Sequence, residues 1–472
     1  MITRKQFLRS SVIAASSLAM GLALRAGDTR FPVVRTPAQR RRFRSQAVER
    51  KIEQIYASVT NRELAWMFEN CFPNTLDTTV DVGEIDGRPD TYVITGDIDA
   101  MWLRDSSAQV WPYLRLVGED PALKRLIAGV INRQALCILR DPYANAFYKD
   151  EKRVGEWRDD LTDMKPGIHE RKWELDSLCY PIRLAHRYWR MTQDRSPFDD
   201  AWIQAIILTL RTFREQQRFS DVGPYHFMRK GTSPMDTLPE NGFGWPARPN
   251  GLICSMFRPS DDATIFPYLV PSNFFAVVSL RQAAELLEEI RHETDVASRC
   301  RALANEVELA LRSSSLVDDP VMGRRYAYEV DGYGNSYCID DGNVPSLLSL
   351  PYLGCVKSDD SLYLATRRFV LSEANPYYCL GRAGEGPGGP HVGRGMIWPL
   401  GIIMRALTST SDEEIRQCLD TLRRTHAGTG FMHESFNKDD ATRYSRSWFA
   451  WANTIFGELI LALRDTRPSL LS

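Results

Sequence analysis

A polar, carboxylate-bearing stretch running into an apolar helix recurs along this chain. The first lies in residues 96–113, where Arg104 and Asp105 precede Trp111-Pro112. Next come Glu174-Leu175-Asp176 before Tyr180-Pro181, Ser260-Asp261-Asp262 before Phe266-Pro267, and Asp340-Asp341 before Val344-Pro345. A fifth runs from His391 to Gly395 into Trp398-Pro399, and a sixth, without proline, from Arg443 to Ser447 into residues 448–461. Between them, apolar positions at helical period predict amphipathic helices over 122–139, 201–217, 294–313, 360–371 and 412–424. The apolar helices are buried on most sides and belong inside; the amphipathic ones belong outside. Six apolar helices alternating with amphipathic ones predict an all-α fold, an (α/α)6 toroid or barrel. Proline fits the first turn of a helix, whose N–H groups are free anyway. Polar stretches that precede inner helices would gather at one end of the barrel, beside those free donors.

The rest of the pattern is local. Helical spacing begins at Val48 and continues to Met67. In 78–94, Val80, Val82 and Ile85 are followed by Asp86-Gly87 and then Tyr92-Val93-Ile94, which predicts a small β-hairpin on the helical body. Two long loops rich in proline and glycine, 220–258 and 381–395, are expected to wall a pocket. Residues 31–47 are basic and proline-punctuated and read as a linker, leaving a single domain over 48–472. Ahead of them, Arg4 and Lys5 precede an apolar run from Val12 to Leu24, too short to span a bilayer. Residues 1–30 therefore read as a signal peptide. Thr3-Arg4-Lys5-Gln6-Phe7-Leu8 resembles a twin-arginine signal with lysine in the second position. The expectation is export to the periplasm or beyond, with no membrane attachment once the signal is removed.

Composition narrows the chemistry. With 472 residues, 43% hydrophobic and 25% charged, the chain can bury a large core. A net charge of −1 gives no support for a nucleic-acid partner. The nine cysteines form no CxxC pair, and Cys137, Cys179, Cys300 and Cys418 sit in apolar helical runs as small core residues. The seven histidines show no metal-ligand spacing. His433-Glu434 is followed at position 437 by Asn437, so the zinc-protease pattern fails, and no G-x-S-x-G elbow is present. Asp97-Ile98-Asp99 matches a metal-binding Asp-x-Asp, but the β/α alternation of the folds that use it is missing. No metal and no cofactor are implied, and the protein is expected to act as a monomer.

In 96–113, four charged side chains stand beside two tryptophans. That mixture suits a pocket for a ligand with hydroxyls and an apolar face, such as a sugar ring. It equally suits a buried Arg–Asp pair tying down a helix start. Glycoside cleavage needs two carboxyl groups, one acid and one base or nucleophile. Phe257-Arg258-Pro259-Ser260-Asp261-Asp262 offers adjacent carboxyls beside an arginine, one of which could serve instead as a helix N-cap. Gly430-Phe431-Met432-His433-Glu434-Ser435-Phe436 offers a lone glutamate among aromatics, with a salt bridge to Arg443 or Arg446 as the alternative.

At these residues the chain resembles glycoside hydrolase family 125, the exo-α-1,6-mannosidases. The matching pieces are Gly96-Asp97-Ile98-Asp99-Ala100-Met101-Trp102-Leu103-Arg104-Asp105-Ser106, Glu174-Leu175-Asp176-Ser177-Leu178-Cys179-Tyr180-Pro181, Phe257-Arg258-Pro259-Ser260-Asp261-Asp262, Val270-Pro271-Ser272-Asn273 and His433-Glu434-Ser435-Phe436. They run from about Ile52 onward, leaving only the signal and linker outside. The resemblance implies an (α/α)6 barrel, inversion of configuration, independence of metal, and removal of terminal α-1,6-linked mannose from mannans or N-glycan-type oligosaccharides. It places the general acid at Asp261, with Asp262 fitting the motif as well, and the general base at Glu434. Polarity and position add Trp102, Arg104, Asp105, Glu174, Asp176, Arg258, Asp262, Asn273, His391 and His433 as candidate sugar contacts. Another toroid glycosidase, such as a glucan hydrolase, or a non-catalytic mannan-binding protein remain the alternatives.

Overall fold

The computed structural model describes residues 31–472 except residue 232. The expected signal peptide, 1–30, lies outside the described residues. The single helical run read over 48–67 is two helices, α1 (Gln46–Ser58) and α2 (Arg62–Cys71), followed by the short α3 (Asn74–Thr78). Asn61 causes the split: its side chain caps α2 by accepting from the Leu64 N–H at 3.2 Å. The expected linker, 31–47, is docked on the body rather than free. The buried Arg35 guanidinium bonds Asp77 and Glu49, each at 2.7 Å. Arg41 reaches Glu49 at 3.0 Å, and the Trp66 indole donates to the Pro32 carbonyl at 2.9 Å. Two of the basic residues of this stretch, Arg35 and Arg41, are thus partners of Asp77 and Glu49.

The hairpin forms as expected from β1 (Val80–Ile85) and β2 (Arg88–Val93). Its two-residue turn has φ of 50° at Asp86 and 74° at Gly87, the left-handed pair that a tight hairpin requires. Among the described residues ten α-helices follow: α4 (Leu103–Val110), α5 (Pro121–Arg140), α6 (Leu175–Thr192), α7 (Asp200–Gln216), α8 (Val270–Leu286), α9 (Thr294–Ser314), α10 (Ser361–Val370), α11 (Pro399–Leu407), α12 (Asp412–Thr425) and α13 (Ala450–Thr466). The predicted amphipathic helices all form, as α5, α7, α9, α10 and α12. The hairpin lies against α5 at Gly129, where a Cβ would come within 2.9 Å of the Asp90 carbonyl carbon. Every residue of α4 is buried. The helix packs on α6, α6 packs on α8, α11 packs on α13, and α13 returns to α4 and to α2 and α3.

Two details differ from the expected pattern. No α-helix follows Val344-Pro345; residues 344–354 are turns. There the Asp340 carboxylate accepts the N–H groups of Leu347 (2.8 Å) and Leu348 (3.1 Å), while Ser346 and Ser349 exchange backbone-to-hydroxyl bonds at 2.8 and 3.2 Å. These local bonds replace helical ones. The prolines also take varied positions. Pro399 opens α11 as expected, but Pro181 lies inside α6, and Pro112 sits in a 3-10 turn after α4.

The described residues also hold more β-structure than one hairpin. Antiparallel β3 (Met101–Trp102), β4 (Ala146–Phe147) and β5 (Ile168–Glu170) pair Trp102 with Ala146 and Ala146 with Glu170. Further along the chain, β6 (Tyr268–Leu269), β7 (Leu316–Asp319), β8 (Gly323–Tyr326), β9 (Glu329–Val330) and β10 (Ser336–Tyr337) form a three-stranded sheet, in the order β10-β9-β6, and a β7–β8 hairpin. The last set is β11 (Tyr378–Leu380), β12 (Glu385–Pro387), β13 (Met396–Ile397), β14 (Phe436–Asn437) and β15 (Asp440–Tyr444). Sheets β3-β4-β5, β6-β9-β10 and β13-β14-β15 each include a strand just ahead of an apolar helix, or flank one of its polar stretches. They satisfy the backbone of these connections and hold the polar stretches together at one end of the bundle.

Candidate active site

At that end lies a pocket of about 260 Å³. Strand β3 and the start of α4 bring Trp102, Arg104 and Asp105 to its wall; the 258–262 turn brings Asp261; the 381–395 loop brings His391; and the connection into β14 brings Glu434. Asp261 sits in the left-handed region at φ 67°, a strained conformation for a side-chain-bearing residue. The turn is pinned on both sides. The Asp261 N–H donates to the Arg258 carbonyl at 2.9 Å, and the Lys172 ammonium donates to the Asp261 carbonyl at 2.8 Å. This backbone geometry sends successive carboxyls apart: Asp261 lines the pocket, whereas Asp262 is buried beside it and accepts from His391 Nδ1 at 3.1 Å.

Arg104 is the hub of the floor. Its buried guanidinium contacts Glu174 (2.6 Å), Asp176 (3.3 Å), Asp105 (3.5 Å) and Asp261 (3.5 Å). Burial works against its charge, but the four carboxyls outweigh burial and hold it firmly protonated. The same burial pushes the Asp105 carboxyl up to about 6 and raises Glu174 and Asp176 above the usual range, with Arg104 opposing in each case.

Glu434 reaches the same pocket from a different part of the chain. One oxygen accepts from the Ser445 hydroxyl at 2.8 Å, and the other meets the Arg446 guanidinium at 3.2 Å. Arg446 also pairs with Asp97. A third wall is a network of ion pairs. Lys172 and Arg229 bind Glu170 and Asp236, and Arg229 lies over the Trp157 ring at 3.7 Å from its centroid. Burial opposes ionisation of Glu170, but Lys172 and Arg229 prevail and hold its carboxyl down at about 2.

Of the expected residues, Trp102, Arg104, Asp105, Asp261, His391 and Glu434 line the pocket. The other six do not. Glu174 and Asp176 lie beneath Arg104, and Asp262 lies behind His391. Arg258 is fully buried and bonds Glu329 at 2.6 Å. The Asn273 amide is consumed by the backbone of Ile253 and Leu269, at 2.8 to 3.0 Å, so it pins α8 to the preceding loop. His433 bonds the Arg446 carbonyl at 2.8 Å and stacks on Tyr444, rings 3.9 Å apart and 4° from parallel. It props the loop behind Glu434. Burial lowers its pKa, which favours a neutral ring.

Sequence reasoning missed Trp157, Glu170, Lys172, Arg229, Asp236, Asn343, Trp398 and Trp451 at the pocket wall, while the expected Glu434 salt bridge forms with Arg446. The run His169-Glu170-Arg171-Lys172 immediately before Glu174 carried a usable signal, a dense charge cluster abutting an apolar helix. Arg229 and Asp236 fall in the long loop 220–258, expected as a wall but without named residues. Among the described residues, no group of three or more His, Cys, Asp or Glu side chains is placed to hold a metal ion.

Two carboxyls on separate walls of a pocket with aromatic and charged lining, on a helical scaffold, define a site of the glycosidase class. The chain belongs to the family described as metal-independent alpha-mannosidase (GH125), which it matches over residues 61–461. It is 42% identical over 463 residues to the meiotically up-regulated gene 157 protein of Schizosaccharomyces pombe (strain 972 / ATCC 24843), covering 94% of this chain and 91% of that one. Among solved structures, it is similar to a Streptococcus pneumoniae metal-independent alpha mannosidase in a non-productive substrate complex with alpha-1,6-mannobiose. That likeness has a TM-score of 0.86 and 40% identity, covering 90% of this chain and 100% of that one. A bacterial glucoamylase complexed with acarbose shares the fold alone, at a TM-score of 0.52 and 14% identity over 89% of this chain and 59% of that one.

Proposed function

We propose that this α-mannosidase is an exo-acting, inverting enzyme on an (α/α)6 toroid that releases terminal α-1,6-linked mannose. Asp261 is its general acid and Glu434 its general base. The observation that carries the reading is that these two carboxyls, brought from distant stretches, line one pocket with Arg104 as its floor. The alpha-1,6-mannobiose in the similar Streptococcus pneumoniae structure supports the linkage.

In this reading Asp261 gives its proton to the glycosidic oxygen as the bond to C1 breaks, its electron pair going to that oxygen. Glu434 takes a proton from a water attacking C1 from the opposite face. Ser445 and Arg446 hold the Glu434 carboxylate in place, and Lys172 anchors the backbone of Asp261. The two long loops supply Arg229, Asp236 and His391, closing the site around one terminal sugar, which supports exo action. Export from the cytoplasm and action as a monomer complete the proposal, the former supported by the basic-then-apolar N-terminal run. Proton NMR of the mannose first released from an aryl α-mannoside, whose leaving group carries no anomeric proton, tests the reading. β-Mannose is expected before mutarotation, and initial α-mannose refutes inversion.

A further inference from the structure

The carboxyl of Glu174 does not reach the pocket, yet it is the closest partner of Arg104. Oε2 accepts from Arg104 at 2.6 Å and from the Ser177 hydroxyl at 2.7 Å. Oε1 is turned the other way. The Asn145 side-chain amide donates to Glu170 at 3.0 Å and also lies 3.5 Å from both Glu174 Oε1 and Asp261 Oδ1, so it stands between the two carboxyls. Arg104 bridges them, at 2.6 and 3.5 Å.

Charge counting around this pair gives an excess of acid. Asp105 and Asp176 share the same guanidinium. The nearby Lys172 is committed to Asp236, Glu170 and the Asp261 carbonyl, and Arg229 to Asp160, Glu170 and Asp236. Four carboxyls crowd the Arg104 guanidinium, with Lys172 and His391 as the other cations near Asp261, and burial raises Glu174, Asp176 and Asp105 together. A proton held within the cluster relieves that crowding.

Resting on Asp261 as the acid, we propose that Glu174 is a positioning residue that shares one proton with Asp261 and keeps it available for the leaving group. A glycosidic oxygen in the pocket selects the arrangement with the proton on the outward oxygen of Asp261. Glu174, then anionic, is held by Arg104 and Ser177, and its charge opposes loss of the Asp261 proton to solvent. In turnover the Asp261 O–H bond breaks and the proton goes to the leaving oxygen. The proton that Glu434 takes from the attacking water leaves to solvent, and solvent returns one to the Asp261–Glu174 pair, so protons balance.

The test is the pH profile of kcat/KM for the full chain carrying Glu174→Gln. On α-1,6-mannobiose the alkaline limb should move to lower pH by about one unit or more, as expected when a like-charged neighbour is removed. Activity on the acid side of the limb should fall by less than about tenfold, since the acid itself remains. Ser177→Ala, which removes a donor to the Glu174 anion, should move the limb the other way by about half a unit. A uniform loss across pH with the limb unmoved overturns the proposal, as does a Ser177→Ala shift in the same direction as that of Glu174→Gln. Failure of the underlying reading is separate: Asp261→Asn active on mannobiose removes the acid itself, whatever Glu174 does.

Discussion

Replacing Asp261 with asparagine isolates the chemistry of the acid from its structural setting. The backbone at this position has φ of 67°, a region that asparagine tolerates better than most side chains. The bonds that pin the turn involve only the Asp261 N–H and carbonyl, so they survive the change. The amide oxygen can keep the 3.5 Å contacts to Arg104 and Asn145. The fold should therefore hold, and what is lost is the proton. General acid catalysis contributes about 10² to 10⁴-fold, so kcat on α-1,6-mannobiose should fall by that factor, equivalent to about 3–5 kcal/mol of barrier. An aryl α-mannoside with a good leaving group needs little protonation, and its rate should fall less than about tenfold. Glu434→Gln provides the contrast: a base is needed whatever leaves, so both substrates should slow alike. Initial rates on the two substrates for each variant make the assay. If Asp262→Asn shows the leaving-group-dependent loss and Asp261→Asn does not, the assignment of the acid is wrong, and the pairing of Asp262 with His391 is part of the chemistry.

Two further outcomes concern stability. Burial opposes the charge of His391, but its bond to Asp262 prevails and raises its pKa from 6.5 to about 9. A raised folded-state pKa gives stability that is full below pH 6.5 and is lost as pH climbs through about 9. The thermal midpoint should fall over that window by more in the wild type than in Asp262→Asn; equal slopes would exclude the pair as the source. About a third of the His391 side chain is open to solvent, so the effect is small. In α13, a Cβ at Gly457 would meet the Phe72 Cβ at 3.0 Å and its Cα at 3.1 Å. Gly457→Ala should destabilise by about 1–3 kcal/mol in denaturant unfolding, and a change below about 0.5 kcal/mol would mean that the α2–α13 contact is looser than described.

The amphipathic helices were legible because their period survives over three or more turns, and their bounds fall within one or two residues of expectation. Strands of two or three residues carry no period, so β3, β4, β5 and their kin left no mark beyond the hairpin at Asp86-Gly87. The fourth apolar segment looked helical in composition, and only the capture of its N–H groups by Asp340 made it otherwise. At the site, a motif could bring Asp261 and Asp262 to one turn but could not say which carboxyl faces the cavity; one left-handed residue decides that. Asn273 and Arg258 belong to the same motifs and serve the backbone instead, because a buried amide or guanidinium must satisfy its hydrogen bonds first. Lys172 and Arg229 escaped notice for the opposite reason. Charged residues in a polar stretch read as solvated until the fold buries them against Glu170 and Asp236.

The return of α13 to α2, α3 and α4 gives the bundle a seam between segments far apart in the sequence. The Asn61 N–H donates to the Leu471 carbonyl across it at 3.3 Å, Arg446 pairs with Asp97, and Trp451 shares a pocket with Trp102. On the ribosome, α4 and the cavity floor emerge long before the helix that covers them. A nascent chain at that point leaves the α4 surface that α13 covers unpacked and has no complete pocket, the kind of uncovered apolar surface that favours aggregation. We predict that a chain truncated before Ala450 is degraded by protease at concentrations that leave the full chain intact, and that adding residues 450–472 as a separate peptide restores protection. A truncated chain already resistant to protease would show that the remaining helices fold without the seam.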